Sequence, residues 1–143
     1  MKCWTVSALV LGTALVLSLG SRQLSAQVCK DEEGMAADYR KTVADLVETA
    51  KKESLLDFAK AYHQKNVTTK LTLYGSTLNG LIGCLQKAAN DPATLKEDAD
   101  AAKGKIDVYT KLKDKITQDR DALKAAQTEK EAKALIEKYT YTK

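Results

Sequence analysis

Apolar residues recur at every third or fourth position along most of the chain, and polar runs divide this pattern into four helical segments. The first carries Met35, Tyr39, Val43, Leu46, Val47, Ala50, Leu55, Phe58 and Tyr62 on one stripe, predicting a helix over 31–64. A kink is expected near Lys52 to Ser54, where Ser54 and Asp57 have the spacing of a capping box that would restart the helix. Val67, Leu71, Tyr74, Leu78, Ile82, Leu85 and Ala89 predict a second helix over 66–90. In the third segment Leu95, Ala102, Tyr109, Ile116 and Leu123 recur every seven residues beside Ala99, Ile106 and Leu112, a coiled-coil-like seam on a helix over 92–126. Asp91 as N-cap and Pro92 at the first helical position would start it. Thr128 and Glu131 form another capping box, ahead of Ala132, Leu135, Ile136 and Tyr139 in a fourth helix over 129–139, and the tail from Thr140 should fray.

The second segment organises the rest. From Leu71 to Gln86 the chain has no charged residue, although 29% of all residues are charged. Its far side carries Thr72, Gly75, Asn79, Gly80, Gly83 and Cys84, which suits a helix covered by neighbours on more than one side. Each glycine costs about 1 kcal/mol in a helix interior, whereas each buried stripe residue contributes roughly 1.5–3 kcal/mol, so the segment is helical once it has partners. Gly75, Gly80 and Gly83 would then admit close helix approach or leave a small apolar cavity. TTKLTLY also alternates well enough to begin as a strand. With no tandem repeat or second boundary, the expectation is all-α: one domain over 27–143, a small three- to four-helix up-down bundle with one disulfide, following a signal peptide.

The leader, over 1–26, rests on Lys2, the apolar run from Val6 to Leu19 and the small residues behind it. Cleavage fits after Ala26, or alternatively after Gly20. About fourteen apolar residues are too few to cross a bilayer comfortably, and Cys29 sits too far behind Ala26 for a lipoprotein signal. Cleavage removes Lys2 and Arg22, leaving 21 basic residues against 19 acidic ones and lowering the formal charge from +4 to +2. That balance makes no case for nucleic acid. It also removes Cys3, so Cys29 and Cys84 remain as a pair expected to be bonded in an exported chain.

Candidate chemistry is sparse. With one histidine, His63, and two paired cysteines there is no metal cluster, and no cofactor is implied. His63 reads as a surface residue near the C-terminus of the first helix, interacting with its dipole. There is no nucleophile elbow or phosphate-binding loop, so catalysis is not expected. Asn66-Val67-Thr68 is an N-glycosylation acceptor, expected at an exposed turn between the first two helices. Five tyrosines lie on the apolar stripes, where core-edge packing suffices to explain them. The functional alternative is a pocket lined by Tyr39, Tyr62, Tyr74, Leu78, Ile82, Ile106 and Tyr109. The function expected first is therefore that of a secreted, monomeric, non-enzymatic protein binding an extracellular protein or surface. The second is an extracellular carrier of a small apolar ligand, such as a lipid, between the helices.

Overall fold

The central uncharged segment lies within the longest helix of the molecule. The computed structural model describes residues 29–141, and they form α1 (Lys30–Lys52), α2 (Lys60–Asn90), α3 (Lys96–Ala125) and α4 (Glu129–Lys138), with no strand among the described residues. The expected leader and its cleavage sites lie outside them. TTKLTLY is helical throughout, because only helical spacing puts Val67, Leu71, Tyr74, Leu78, Leu81 and Leu85 on one buried face. Val43, Ala44 and Val47 of α1, Ile116 and Leu123 of α3, and Ala132 and Ile136 of α4 complete the core. α2 packs against all three other helices, whereas no Cα of α1 comes within 8 Å of one in α3.

Contacts fix the helix directions. The disulfide joins Cys29, ahead of α1, to Cys84 near the end of α2, with Cα atoms 5.9 Å apart. Gln64, early in α2, donates to the Leu123 carbonyl at the end of α3 (2.7 Å). Both neighbours are thus antiparallel to α2, the up-down order that short connections favour. α4 folds back at the end where α1 and α3 finish and lies against all three.

Three helix boundaries differ from the sequence expectation: the end of α1, the start of α2 and the start of α3. α1 ends at Lys52, not near residue 64, at the break expected between Lys52 and Ser54, and α2, expected from residue 66, starts at Lys60. The Asp57 amide bonds to the Ser54 hydroxyl oxygen as in a capping box (3.3 Å). The Asp57 carboxylate, however, accepts from that hydroxyl (2.6 Å) instead of reaching back to the Ser54 backbone, so no helix restarts at Ser54. The Asp57 amide bonds to the Ser54 carbonyl, and the result is a tight turn. Asn66 consequently lies inside α2 and is half-buried, not at a turn between helices. α3 begins at Lys96, four residues later than expected, because the Asp91 side chain accepts from the Ala93 amide (2.8 Å) and its carbonyl from the Thr94 amide (3.0 Å). Pro92 is thereby at the second position of a β-turn and not in the first helical turn. Leu95, the first residue of the seven-residue seam, is left exposed, while Ala102, Ile116 and Leu123 are buried. The capping box at Thr128 forms as its sequence requires, with the Glu131 carboxylate accepting from the Thr128 amide (3.2 Å).

The end that holds α4 is closed by polar side chains on carbonyls at the ends of α1 and α3 and in the α3–α4 connection, groups that regular helix bonding does not satisfy. Lys133 donates to the Lys51 carbonyl (3.2 Å), Lys60 to that of Gln127 (2.6 Å), and Gln64 to those of Leu123 and Lys124. The expected fraying from Thr140 does not occur over the described residues. Tyr141 is buried, and its hydroxyl donates to the Asp119 carboxylate (2.6 Å) while Lys115 lies over its ring. Tyr139, also buried, donates to the Asp119 carbonyl.

The glycines of α2 do not all serve close packing. A Cβ at Gly75 would meet Ile116 Cγ2 at 3.7 Å, an ordinary contact, while at Gly80 and Gly83 it would meet nothing within 4 Å. The far side of α2 is open, with Thr69, Thr72, Ser76, Asn79 and Gly80 exposed. Replacing Gly80 or Gly83 with alanine should therefore stabilise the protein by about 1 kcal/mol each, through helix propensity alone. Urea midpoints read this directly, and a loss of stability in either variant would show that something covers that face.

Candidate functional site

The sequence grouped seven side chains into one pocket; the structure brings Tyr74 and Tyr109 together at a cavity and leaves Tyr62 exposed. Leu78 is fully buried in the core, Ile82 is buried, and Tyr39 and Ile106 are half-buried against the core. Tyr74 and Tyr109 do meet, lining a cavity of about 90 Å³ with Ala36, Arg40 and Leu112. Burial pushes the Tyr74 hydroxyl above its ordinary range, with Arg40 opposing that shift and Tyr109 adding to it. Tyr62 is elsewhere, 60% exposed at the start of α2.

What separates Tyr62 from the others is the break between α1 and α2. A continuous helix would have placed Leu55, Phe58 and Tyr62 on one buried stripe. The turn after Ser54 instead directs Phe58 inward, where it is 2% exposed, and leaves Leu55 and Leu56 outside. Leu56 is 98% exposed. His63 is likewise not the surface residue expected from the sequence. It lies in the first turns of α2, 2% exposed, with Nε2 2.7 Å from Glu53 Oε2 and its ring stacked on Phe58 at 4.8 Å. Lys133 adds its ammonium over the Phe58 ring. The elbow over 53–59 is therefore a held structure: its inner side is pinned by Phe58, His63 and Glu53, and its outer side presents two leucines, while Tyr62 is exposed in the first turn of α2. The cluster Phe58, Tyr62, His63 was visible as an aromatic group in the sequence, but only the position of the helix break decides which members turn inward. Asn66 follows Tyr62 by one helical turn, so a sugar there would border the elbow.

The second concave region is at the disulfide end. Because α4 fills only the other end, α1 and α3 flank α2 without touching at backbone level. A cavity of about 200 Å³ lies between them there. Buried Cys29, Leu85 and Ala102 form its floor, with Ala88 and Ala101 beside them. Glu33, Asp98 and Lys105 bring charge to its lining, and the Lys105 ammonium reaches Glu33 at 2.7 Å, crossing from α3 to α1. That hydrogen bond holds the Lys105 ammonium above its ordinary pKa. Leu85 had been placed on the core stripe, but Ala88, Ala101 and Asp98 carried no distinguishing spacing, so this cavity was not legible beforehand. Among the described residues no three His, Cys, Asp or Glu side chains converge to hold a metal ion, and no described helix is long and apolar enough to cross a membrane.

Over the described residues, fold and surface together define a disulfide-tied arrangement of four helices with an apolar elbow at one end and a charged-rim cavity at the other. No protein-family model matches the chain, and no curated protein or solved structure is significantly similar to it.

Proposed function

We propose that this is a secreted, non-enzymatic binding protein that engages an extracellular protein partner through the α1–α2 elbow. The observation that carries the reading is Leu56, exposed at 98% on a turn whose inner side is locked by Phe58 and the His63–Glu53 hydrogen bond. The backbone of the turn is already ordered, so binding there costs little backbone freedom, and the exposed leucine offers apolar area for a partner to bury. Leu55 and Tyr62 are also exposed, as are charged Lys52 and Asp57. Secretion rests on the leader pattern, and the Cys29–Cys84 bond is in keeping with an oxidising destination.

A photo-crosslinking residue placed at position 56 tests this in the fluid into which the protein is exported. One discrete adduct is expected, suppressed by excess unlabelled wild-type protein but not by the Leu56→Asp, Tyr62→Ser variant. Equal suppression by both competitors, or no adduct at all, would defeat the proposal. A second reading, a carrier of a small apolar ligand, is supported by the cavity at the disulfide end. At about 200 Å³ it is smaller than the roughly 300–1,000 Å³ of common ligand pockets, which favours a short ligand over a long acyl chain.

A further inference from the structure

We propose that the cavity beside the disulfide binds a compact primary amine: a single ring or short alkyl body carrying an ammonium group. The inference deepens the carrier reading and rests on it. The apolar part follows from the floor, where Leu85, Ala102 and the Cys29 side of the disulfide are buried. A cavity of about 150 Å³ with apolar walls accepts a benzene ring, so about 200 Å³ accommodates a ring and a short chain.

The ammonium follows from the lining. Lys105 is itself an alkylammonium at this cavity, and it finds Glu33 across the gap at 2.7 Å. Its side chain is 52% exposed, so it is held at its tip and is not walled in. A ligand ammonium entering beside it has the same partner, and displaces Lys105 to solvent at small cost, since exposed ion pairs contribute only about 0–1 kcal/mol. Asp98 contributes a second carboxylate to the lining. Asp31, Glu32 and Glu97 in the first turns of α1 and α3 stand beside Lys30 and Lys96 there, so the charge preference of the cavity rests on Glu33 and Asp98 in its lining. A carboxylate ligand would have Lys105 alone to pair with and would have to break it from Glu33.

Calorimetric titration of the intact, oxidised protein with phenethylamine, 2-phenylethanol and phenylacetate tests the assignment, since the three share one ring and differ at the head group. Phenethylamine should bind about two- to fivefold more tightly than either of the others, the range an exposed ion pair supports. Lys105→Ala, which removes the internal competitor, should tighten it several-fold, and Glu33→Gln should abolish the preference for amine over alcohol. Ala101→Leu, at an exposed cavity position that the fold tolerates, should weaken binding at least tenfold, with unchanged ellipticity showing that the variant is folded. Alcohol or phenylacetate binding as tightly as the amine would overturn the assignment of the head group and leave the carrier reading standing. Amine binding unaffected by Ala101→Leu would overturn the site. No heat from any of the three up to about 10 mM, with wild type and Lys105→Ala alike, would overturn both.

Discussion

Above about pH 10 the protein should lose stability steeply, with Tyr139 and Tyr141 as the cause. Burial raises both hydroxyls far above their ordinary value near 10, and Asp119 raises them further, through a hydrogen bond and charge at Tyr141 and through charge at Tyr139. In the unfolded chain both lose their protons near pH 10, whereas in the folded chain they keep them. The unfolded state therefore binds fewer protons above pH 10, and the stability present below that pH is lost as pH rises. Each tyrosine contributes about 1.4 kcal/mol per pH unit, so the pair removes roughly 5 kcal/mol between pH 10 and 12. A domain of this length has about 6–17 kcal/mol to lose. Tyrosinate absorbance from these two residues should therefore rise together with the loss of helical ellipticity. In Tyr141→Phe, which cannot ionise, the loss per pH unit above pH 10 should fall by about half. Tyrosinate appearing at full amplitude while the helices remain intact would show that neither hydroxyl is shielded.

Breaking the Cys29–Cys84 bond should cost about 4 kcal/mol, the loop-closure entropy of a crosslink spanning 55 residues. The loss should not be uniform. Before Val43, Ala36 is the one fully buried residue of α1, and the Glu33–Lys105 bridge is largely solvated. The first three turns of α1 are thus held mainly by the disulfide, while Val43, Ala44, Val47 and Ala50 anchor the rest. In the Cys29→Ser, Cys84→Ser variant, amide exchange should accelerate before Val43 under conditions where it remains slow after Val43. Urea unfolding should show the global loss. A midpoint equal to that of the oxidised protein, after correction for slope, would mean that the N-terminal turns are held by something else.

The parts of this architecture that were legible in the sequence are those set by periodicity and by pairing. The stripe from Val67 to Leu85 identified the central helix because apolar side chains at 3.6-residue spacing have one way to be buried together. Cys29 and Cys84 were assigned to each other because no other cysteine remains once the leader is removed. The capping box at Thr128 was likewise readable, since its two hydrogen bonds are local and involve residues three apart. Misreadings came where two local arrangements compete for the same side chain. Ser54–Asp57 and Asp91–Pro92 each have the composition of a helix start, yet each closes a turn, and the choice depends on what the following residues bury. Phe58 and His63 supply that at the elbow. Tyr141 was missed because its partner, Asp119, lies a full helix away. The cavity at the disulfide end was missed because it arises from the absence of α1–α3 contact there, which no single stretch of sequence encodes, whereas the Tyr74–Tyr109 cavity was anticipated in part. The candidate pocket suffered most: its seven members shared stripes, but a stripe reports burial and not which neighbours meet.

The crosslink has one more consequence, for how the molecule responds to proteases. Its two sulfurs lie on either side of the α1–α2 elbow, the segment that offers Leu56 to solvent. A single scission between residues 53 and 59 would divide the polypeptide in two without releasing either piece, since α1 stays tethered to α2 through sulfur. An endopeptidase acting there would convert the projecting loop into two free ends while the core stays assembled, so a nicked form would persist as one particle until it met a reductant.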